Sequence, residues 1–383
     1  MTKVLLIANS SFTAKSEFEN FFNYLSQNLQ VSVTSVAHPL LRTQTQLKTE
    51  HRHSWKGQTT TVERPRLFRP PLSFLIDPLH QRFEEYFDVV IGFNPLQTVL
   101  SRRLIQKNGV LVNWAIDFVP SEHYPLLLRN VYTAIDRKMV KSVDLLIENN
   151  EFAASARTTR AGFKAKRSLI VPITIGDHWI DNVDRSRRNN KNIIYVGTMN
   201  TRNGVDFLME VAIRVLAQDN DATFTFIGDG PLHSVVHARI TELGLKHRIE
   251  ILGYIDDEQV ILDRLRQASI AVAPYAHQPE SFTRFADPQK LKWYAAAGLP
   301  MIVSPEPPSA DELGTRGAAI VHSANGRNDV NVWSQAIRDL MNDEQRWTQM
   351  SNQSQRWAME FSRQRQYERV WTSIQTIRWT TNS

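Results

Sequence analysis

Cysteine is absent from all 383 residues. That excludes a disulfide framework, a thiolate nucleophile and a cysteine-ligated metal, and it fits a reducing compartment such as the cytoplasm. No apolar run approaches the roughly 20 residues of a membrane-spanning helix. The opening "MTKVLLIANSSF" is expected to be a first strand and not a leader, because its apolar run is short and no small-residue cleavage site follows. Several catalytic signatures are also missing. There is no G-x-S-x-G elbow, no G-x-x-x-x-G-K-[ST] loop and no G-x-G-x-x-G with a ribose-binding acid beyond. His51 and His53 alternate without a third ligand nearby, so no metal is expected.

Acidic residues are in deficit, 39 against 45 Lys and Arg, giving a net charge of +6 and a pI near 9.5. Such a balance favours polyanionic partners. Much of it is concentrated in residues 42–70, where Arg42, Lys48, Arg52, Lys56, Arg64, Arg66 and Arg69 face only Glu50 and Glu63. Trp55, Phe68, Leu72 and Phe74 lie within or beside this run. Cations interleaved with bulky apolar groups suit an anionic membrane surface; a solvated loop is the other reading.

What is present is a globular composition, 42% hydrophobic and 22% charged, in a chain long enough for two domains. Apolar runs such as "KVLLIANS", "VSVTSVA", "FDVVIGF", "GVLVNWAIDF" and "VDLLIENN" alternate with helical patterns, among them "EFENFFNYLSQNL", "PLQTVLSRRLIQKN" and Pro125 to about Lys141. The polar stretch "DNVDRSRRNNKN" reads as a linker. The alternation then restarts with "NIIYVGT", "ATFTFIGDG", "RIEILGYI", "SIAVAPYA", "PMIVS" and "AAIVHS", and ends in helices. The expected fold class is therefore α/β: two doubly wound parallel sheets facing a cleft. The domains are expected at 1–180 and 190–362, with 363–383 a C-terminal helix returning to the first domain. Ligands of such sheets bind beyond the carboxyl ends of the strands, which singles out the loops at those ends.

Three of these loops share a chemistry. "YVGTMNTRNG" places Gly197 after a strand, where a missing Cβ lets backbone amides approach an anion, with Arg202 close behind. "FIGDGP" repeats the design with Gly228 and Gly230 around Asp229. "FADPQKLKWYAAAGLPMIVS" sets Pro288 and Lys290 at the start of a short helix, where the positive end of the helix dipole and an ammonium both favour phosphate. One glycine turn alone is no more than a tight turn. Two, with Lys290 at a third helix start, point to phosphate binding. In the first half, Asp117 follows an apolar strand, as a general base in a partly dry site would; a turn-forming or capping aspartate is the alternative. His123 and His38 are loop residues near strand ends, with a surface role as the plainer reading. The aromatics Trp347, Trp357, Phe361, Trp371 and Trp379 of the terminal helices have the spacing of core packing, and no nucleic-acid partner is expected.

From about Asn192 to Asp343 the sequence resembles the nucleotide-sugar domain of GT-B glycosyltransferases. "YVGTMNTRNGVDFL", "FIGDGPL", "ILGYID", "ASIAVAPYA" and "KLKWYAAAGLPMIVS" carry the likeness in order. The last is similar to a subgroup in which P-x-K-L-x-E-Y replaces the usual acidic pair, among them bacterial exopolysaccharide glucuronosyltransferases of the inner membrane. In the first half the likeness is looser, through "NSSFTAKSEFENFF", "IDFVP" and "VDLLIENN". Registered on the family-four pattern, its two glutamates fall on Phe285 and Trp293, and its phosphate-binding Arg and Lys on Thr198 and Asn203, leaving Arg202 and Lys290 to carry that charge.

The resemblance implies a metal-independent transferase of hexosyl or glucuronosyl type. Its co-substrate would be a nucleotide diphosphate sugar, expected to be a UDP-sugar, with no other cofactor. Donor contacts would fall on Gly197, Thr198, Arg202, Gly228, Gly230, Tyr254, Tyr275, Lys290 and Trp293. Asp117 would be the base, and Asn9, Ser10, Lys15 and His123 would line the acceptor side. The acceptor would be a saccharide or lipid-linked sugar for a cell-surface polysaccharide, with the protein peripheral on the inner face of the plasma membrane. Two other functions remain open on the same fold: a nucleotide-sugar epimerase or hydrolase, and a non-catalytic sugar-nucleotide-binding subunit.

Overall fold

The computed structural model describes residues 1–8, 16–37, 48–65, 83, 85–180, 188, 191–277 and 282–382. The chain forms two compact units: Met1–Ile173 with Gln364–Ser383, and Thr174–Arg363. The first division falls a few residues before the expected end of the first domain. An isolated bridge between Ile175 and Ser362 and the stacking of Trp179 on Trp293 hold residues 174–180 to the second unit.

In the first unit, strands β1 (Thr2–Ala8), β2 (Val31–Ala37), β3 (Lys48–Trp55), β4 (Gln58–Pro65), β5 (Phe87–Gly92), β6 (Ile105–Trp114), β7 (Leu145–Glu148) and β8 (Ser168–Ile170) make one sheet of order β4-β3-β2-β1-β5-β6-β7-β8. Pairings from β2 across to β8 are parallel. β1 reads as an unbroken apolar run because both its faces are covered. Val4, Leu6 and Ala8 join one core cluster, while Leu5 and Ile7 join another on the opposite face. Phe18, Phe21, Phe22 and Leu25 of helix Glu17–Asn28 fill the first cluster together with Tyr367, Val370, Trp371, Ile374 and Ile377 of the terminal helix Arg363–Asn382. The i, i+3/i+4 spacing of that terminal set is an amphipathic stripe, and the Tyr367 hydroxyl donates to buried Glu17.

Two local expectations are corrected. Part of the basic region read as a loop is an antiparallel hairpin, β3 with β4, added to the sheet edge at β2. Its two-residue turn has Lys56 at φ 49° and Gly57 at φ 77°, the mirror-image geometry whose twist suits a hairpin. A lysine at the first position and charges along β3 hid this pattern. One of the cations counted there, Arg52, is paired with Glu19 of the neighbouring helix at 2.8 Å; residues 42–47 and 66–70 of that region lie outside the described residues. The second correction concerns "PLQTVLSRRLIQKN". The helix stops at Ser101, a 3-10 turn covers Arg102–Leu104, and Ile105 already begins β6. The first half of β6 is largely solvent-facing, so its polar residues mimicked a helix surface.

The second unit holds β9 (Asn192–Val196), β10 (Thr223–Ile227), β11 (Ile249–Ile251), β12 (Ile270–Ala273), β13 (Met301–Val303) and β14 (Ala319–Val321). They are ordered β11-β10-β9-β12-β13-β14, all pairs parallel. This is the doubly wound order with its switch point between β9 and β12. Ile193 and Tyr195 of β9 face one core, Ile194 and Val196 the other. No helix among the described residues is long and apolar enough to cross a membrane.

Candidate functional site

At the switch point of the second unit, the loop after β9 is shaped by glycines. Gly197 (φ 142°) and Gly228 (φ 138°) lie in backbone regions that side chains rarely adopt. Their roles differ. A Cβ on Gly228 would lie 2.0 Å from the Gly197 carbonyl oxygen, and one on Gly230 would lie 2.7 Å from that of Met199. These two glycines therefore let the β9 and β10 loops pack backbone to backbone, a contact closed by Met199 N–H donating to Asp229 O at 2.9 Å. A Cβ on Gly197 would instead meet side chains: Lys290 Nζ and the Tyr195 hydroxyl, each at 3.2 Å. Thr198 is exposed, and its carbonyl accepts from the Tyr195 hydroxyl at 2.9 Å and Asn203 Nδ2 at 2.8 Å. Gly204 opens helix Val205–Gln218 directly against Pro274, and Ala276 N–H donates to Arg202 O at 3.0 Å. The loops after β9 and β12 are thus tied together.

Lys290 lies in the first turn of helix Gln289–Ala296. Its residue is 9% exposed and its Nζ has no hydrogen-bond partner. The ammonium sits 4.6 Å from the Tyr195 ring centre and 4.4 Å from that of Tyr275. Burial, reinforced by the Arg202 charge, lowers its pKa to about 7; burial pushes the Tyr275 phenol well up. The two rings offer cation–π attraction but no acceptor lone pair, so the amine's hydrogen-bonding capacity is unspent. Sequence reasoning found Lys290 but missed what fixes its helix. The Tyr294 hydroxyl accepts from Val196 N–H at 2.7 Å, bolting the helix to β9, and buried Lys292 pairs with Asp287. Both read as ordinary helix residues in the sequence.

Two other residues expected on the donor side are placed differently. Trp293 stacks on Trp179 with ring centres 5.1 Å apart and planes at 10°, a packing contact. Tyr254 is 74% exposed, its hydroxyl 3.3 Å from Asp256 Oδ1.

In the first unit, Asp117 follows β6. Its side chain reaches solvent, yet the surrounding protein strips enough hydration to push its carboxyl pKa up. The loop that carries it rests on a buried charge network invisible in the sequence. Arg157, fully buried in helix Glu151–Ala161, pairs with Glu148 and Asp136 and donates to Asp117 O at 3.3 Å. Arg160 pairs with Asp136 at 2.9 Å and donates to Val119 O at 2.8 Å. Phe118 lies 5.4 and 4.3 Å from the two guanidiniums. His123 is exposed, in a 3-10 turn. Asn9, Ser10 and Lys15 lie outside the described residues.

Comparison with known proteins agrees with this architecture. The fold is GT-B. HepE from Anabaena, solved with UDP, superposes with a TM-score of 0.66 at 14% identity, over 98% of this chain and 100% of that one. WaaG, a glycosyltransferase involved in lipopolysaccharide biosynthesis, gives 0.63 at 13% identity over 97% and 98%. Sucrose-phosphate synthase from Thermosynechococcus elongatus gives 0.65 at 13% over 98% and 99%. More particularly, residues 190–343 match the family "Glycosyl transferases group 1", the stretch whose motifs carry the resemblance. A curated relative, an exopolysaccharide phosphotransferase of Streptomyces coelicolor, is 25% identical over 283 residues, 70% of this chain. The chain spans only 28% of that protein's length.

Proposed function

We propose that this protein is a glycosyltransferase that moves a sugar from a UDP-sugar to a saccharide or lipid-linked acceptor of a cell-surface polysaccharide. The observation that carries the reading is the unpartnered, buried amine of Lys290 beside the side-chain-free edge of Gly197. A diphosphate there supplies the acceptors this amine lacks. As the bond from the anomeric carbon to the diphosphate oxygen breaks, its electron pair goes to the leaving nucleoside diphosphate. A preorganised cation and the adjacent helix start stabilise that charge. The acceptor hydroxyl oxygen forms the new bond to the anomeric carbon, and its proton passes to Asp117, whose raised pKa makes it a stronger base than an ordinary aspartate. Arg202, tied through its carbonyl to the β12 loop, adds positive charge near the leaving group. The likeness to structures solved with UDP supports the choice of nucleotide. This chemistry asks for no metal.

Calorimetric titration with UDP tests the donor site. Wild type is expected to bind, and Lys290→Met to lose at least tenfold in affinity while remaining folded; equal affinities would refute the assignment. Asp117→Asn is expected to abolish transfer and leave UDP affinity unchanged. Transfer at the wild-type rate would remove Asp117 as the base. The reading places the protein on the inner face of the plasma membrane through the basic 42–70 region. Neutralising Arg64, Arg66 and Arg69 together is expected to release it from anionic liposomes, and undiminished sedimentation with liposomes would end that part of the proposal.

A further inference from the structure

Just past β13, three side-chain oxygens within six residues are buried without a hydrogen-bond partner: Ser304 Oγ, Glu306 Oε2 and Ser309 Oγ. Burying such a group without a partner is unfavourable, and most buried polar groups in native chains are paired. Three such oxygens on one short loop leave room there for hydrogen-bond partners from outside the chain.

That loop is joined to the Lys290 site. Ser304 N–H donates to Ala273 O at 3.1 Å, at the end of neighbouring β12. Glu306 keeps 10% side-chain exposure, and its other oxygen lies 3.4 Å from His277 Nδ1. His277 is two residues beyond Tyr275, whose ring flanks the Lys290 amine at 4.4 Å. Two residues of chain span at most about 7 Å, so the contact that Glu306 makes is carried on the same short loop as the Tyr275 ring beside Lys290.

We propose that Glu306, assisted by Ser304 and Ser309, is the subsite that binds hydroxyl groups of the nucleotide sugar whose diphosphate is held at Lys290. The inference rests on the donor-site reading above. A carboxylate repels phosphate and accepts hydrogen bonds only, so its complement in such a ligand is a hydroxyl pair. Such pairs lie on the ribose and on the transferred sugar. The serine hydroxyls can donate to or accept from the same ring.

Calorimetry on wild type, Glu306→Gln and Glu306→Ala separates the two, using UDP, 2′-deoxy-UDP, UDP-glucose and UDP-glucuronate. If the ribose is bound, both variants lose about tenfold or more for UDP, and the wild-type preference for UDP over its 2′-deoxy form disappears. If the transferred sugar is bound, UDP affinity is kept, while the variants lose the extra affinity that wild type shows for a UDP-sugar over UDP. Wild-type affinities in both variants for all four probes would overturn the proposal. Failure of wild type itself to bind any of them would instead overturn the donor-site reading, a result distinct from a failure of the variants. Unchanged melting temperatures in the variants exclude loss of fold as the cause.

Discussion

Arg157 and Lys290 are both buried near strand ends, one in each sheet, and they are treated in opposite ways. Arg157 in the first unit has Glu148, Asp136 and a backbone carbonyl for its guanidinium. Lys290 in the second has two aromatic rings and no hydrogen-bond acceptor. A buried charge is tolerated when paired and hydrogen-bonded. By that standard Arg157 is complete, a structural brace under the Asp117 loop, and Lys290 is incomplete, a group whose partner, on the function proposed above, comes with the ligand. On that proposal the difference separates what holds the fold from what waits for substrate, even though both residues are buried cations of similar reach.

The largest effect is expected where the network is complete. Arg157→Met leaves Glu148 and Asp136 buried without their shared partner, and breaking such a cluster from one side costs about 3–5 kcal/mol. Urea denaturation should show the midpoint fall with the slope unchanged. A loss under about 1 kcal/mol would mean that the network is not the brace its geometry implies. Lys290→Met should do the reverse. Methionine fits between Tyr195 and Tyr275 without a charge to desolvate, so the ligand-free protein at pH 6 is expected to gain about 1–3 kcal/mol while losing UDP affinity. A mutation that stabilises the fold and removes binding is the signature of a ligand site. If Lys290→Met destabilises as Arg157→Met does, the contrast between the two cations collapses.

Arg160 tests the same brace more gently. Its partner Asp136 is also held by Arg157, so Arg160→Gln strands no carboxylate and should cost about 1–2 kcal/mol. What it releases is the carbonyl of Val119, two residues from Asp117. The expected kinetic result is a fall in kcat with KM for the donor unchanged, partly restored in Arg160→Lys. Equal loss in both parameters would place its effect on the fold alone.

Much of this architecture was legible because buried parallel strands announce themselves. β1, β5, β9 and β12 are short apolar runs closed by polar or glycine-containing loops, and the alternation with helices leaves little choice of sheet type. The β3–β4 hairpin was not legible: its alternation is carried by Thr, His and Arg, and its turn uses Lys56 where Asn or Gly would have signalled it. At the sites, Lys290 could be found because a helix start after a strand is a place where chemistry concentrates. Arg157 could not, since an arginine in "EFAASARTTRAGF" is by default a surface residue, and its acidic partners lie 9 and 21 residues away. Glycine spacing alone does not say why a glycine is needed. Gly228 and Gly230 are required by backbone packing against the neighbouring loop, which no local pattern can distinguish from room for an anion.

The finest separation of the two cations is by pH. The guanidinium of Arg157 stays protonated throughout the accessible range, so its contribution carries no titration of its own. Lys290, with a folded pKa of about 7 against about 10.4 when unfolded, gives a defined sign. Between those values the unfolded chain holds a proton that the folded amine has lost, so stability from this group rises with pH, by at most about 1.4 kcal/mol per unit. Below pH 7 both states are protonated and the slope vanishes. Diphosphate binding runs the other way, because it needs the ammonium: UDP affinity should be flat below pH 7 and fall by up to about tenfold per unit above it, with a proton taken up on binding. Denaturation and UDP titration of wild type at pH 6, 7, 8 and 9, with the Lys290→Met stability curve subtracted to remove other titrating groups, should therefore give slopes of opposite sign. Parallel slopes would mean that the amine meets the nucleotide uncharged or not at all.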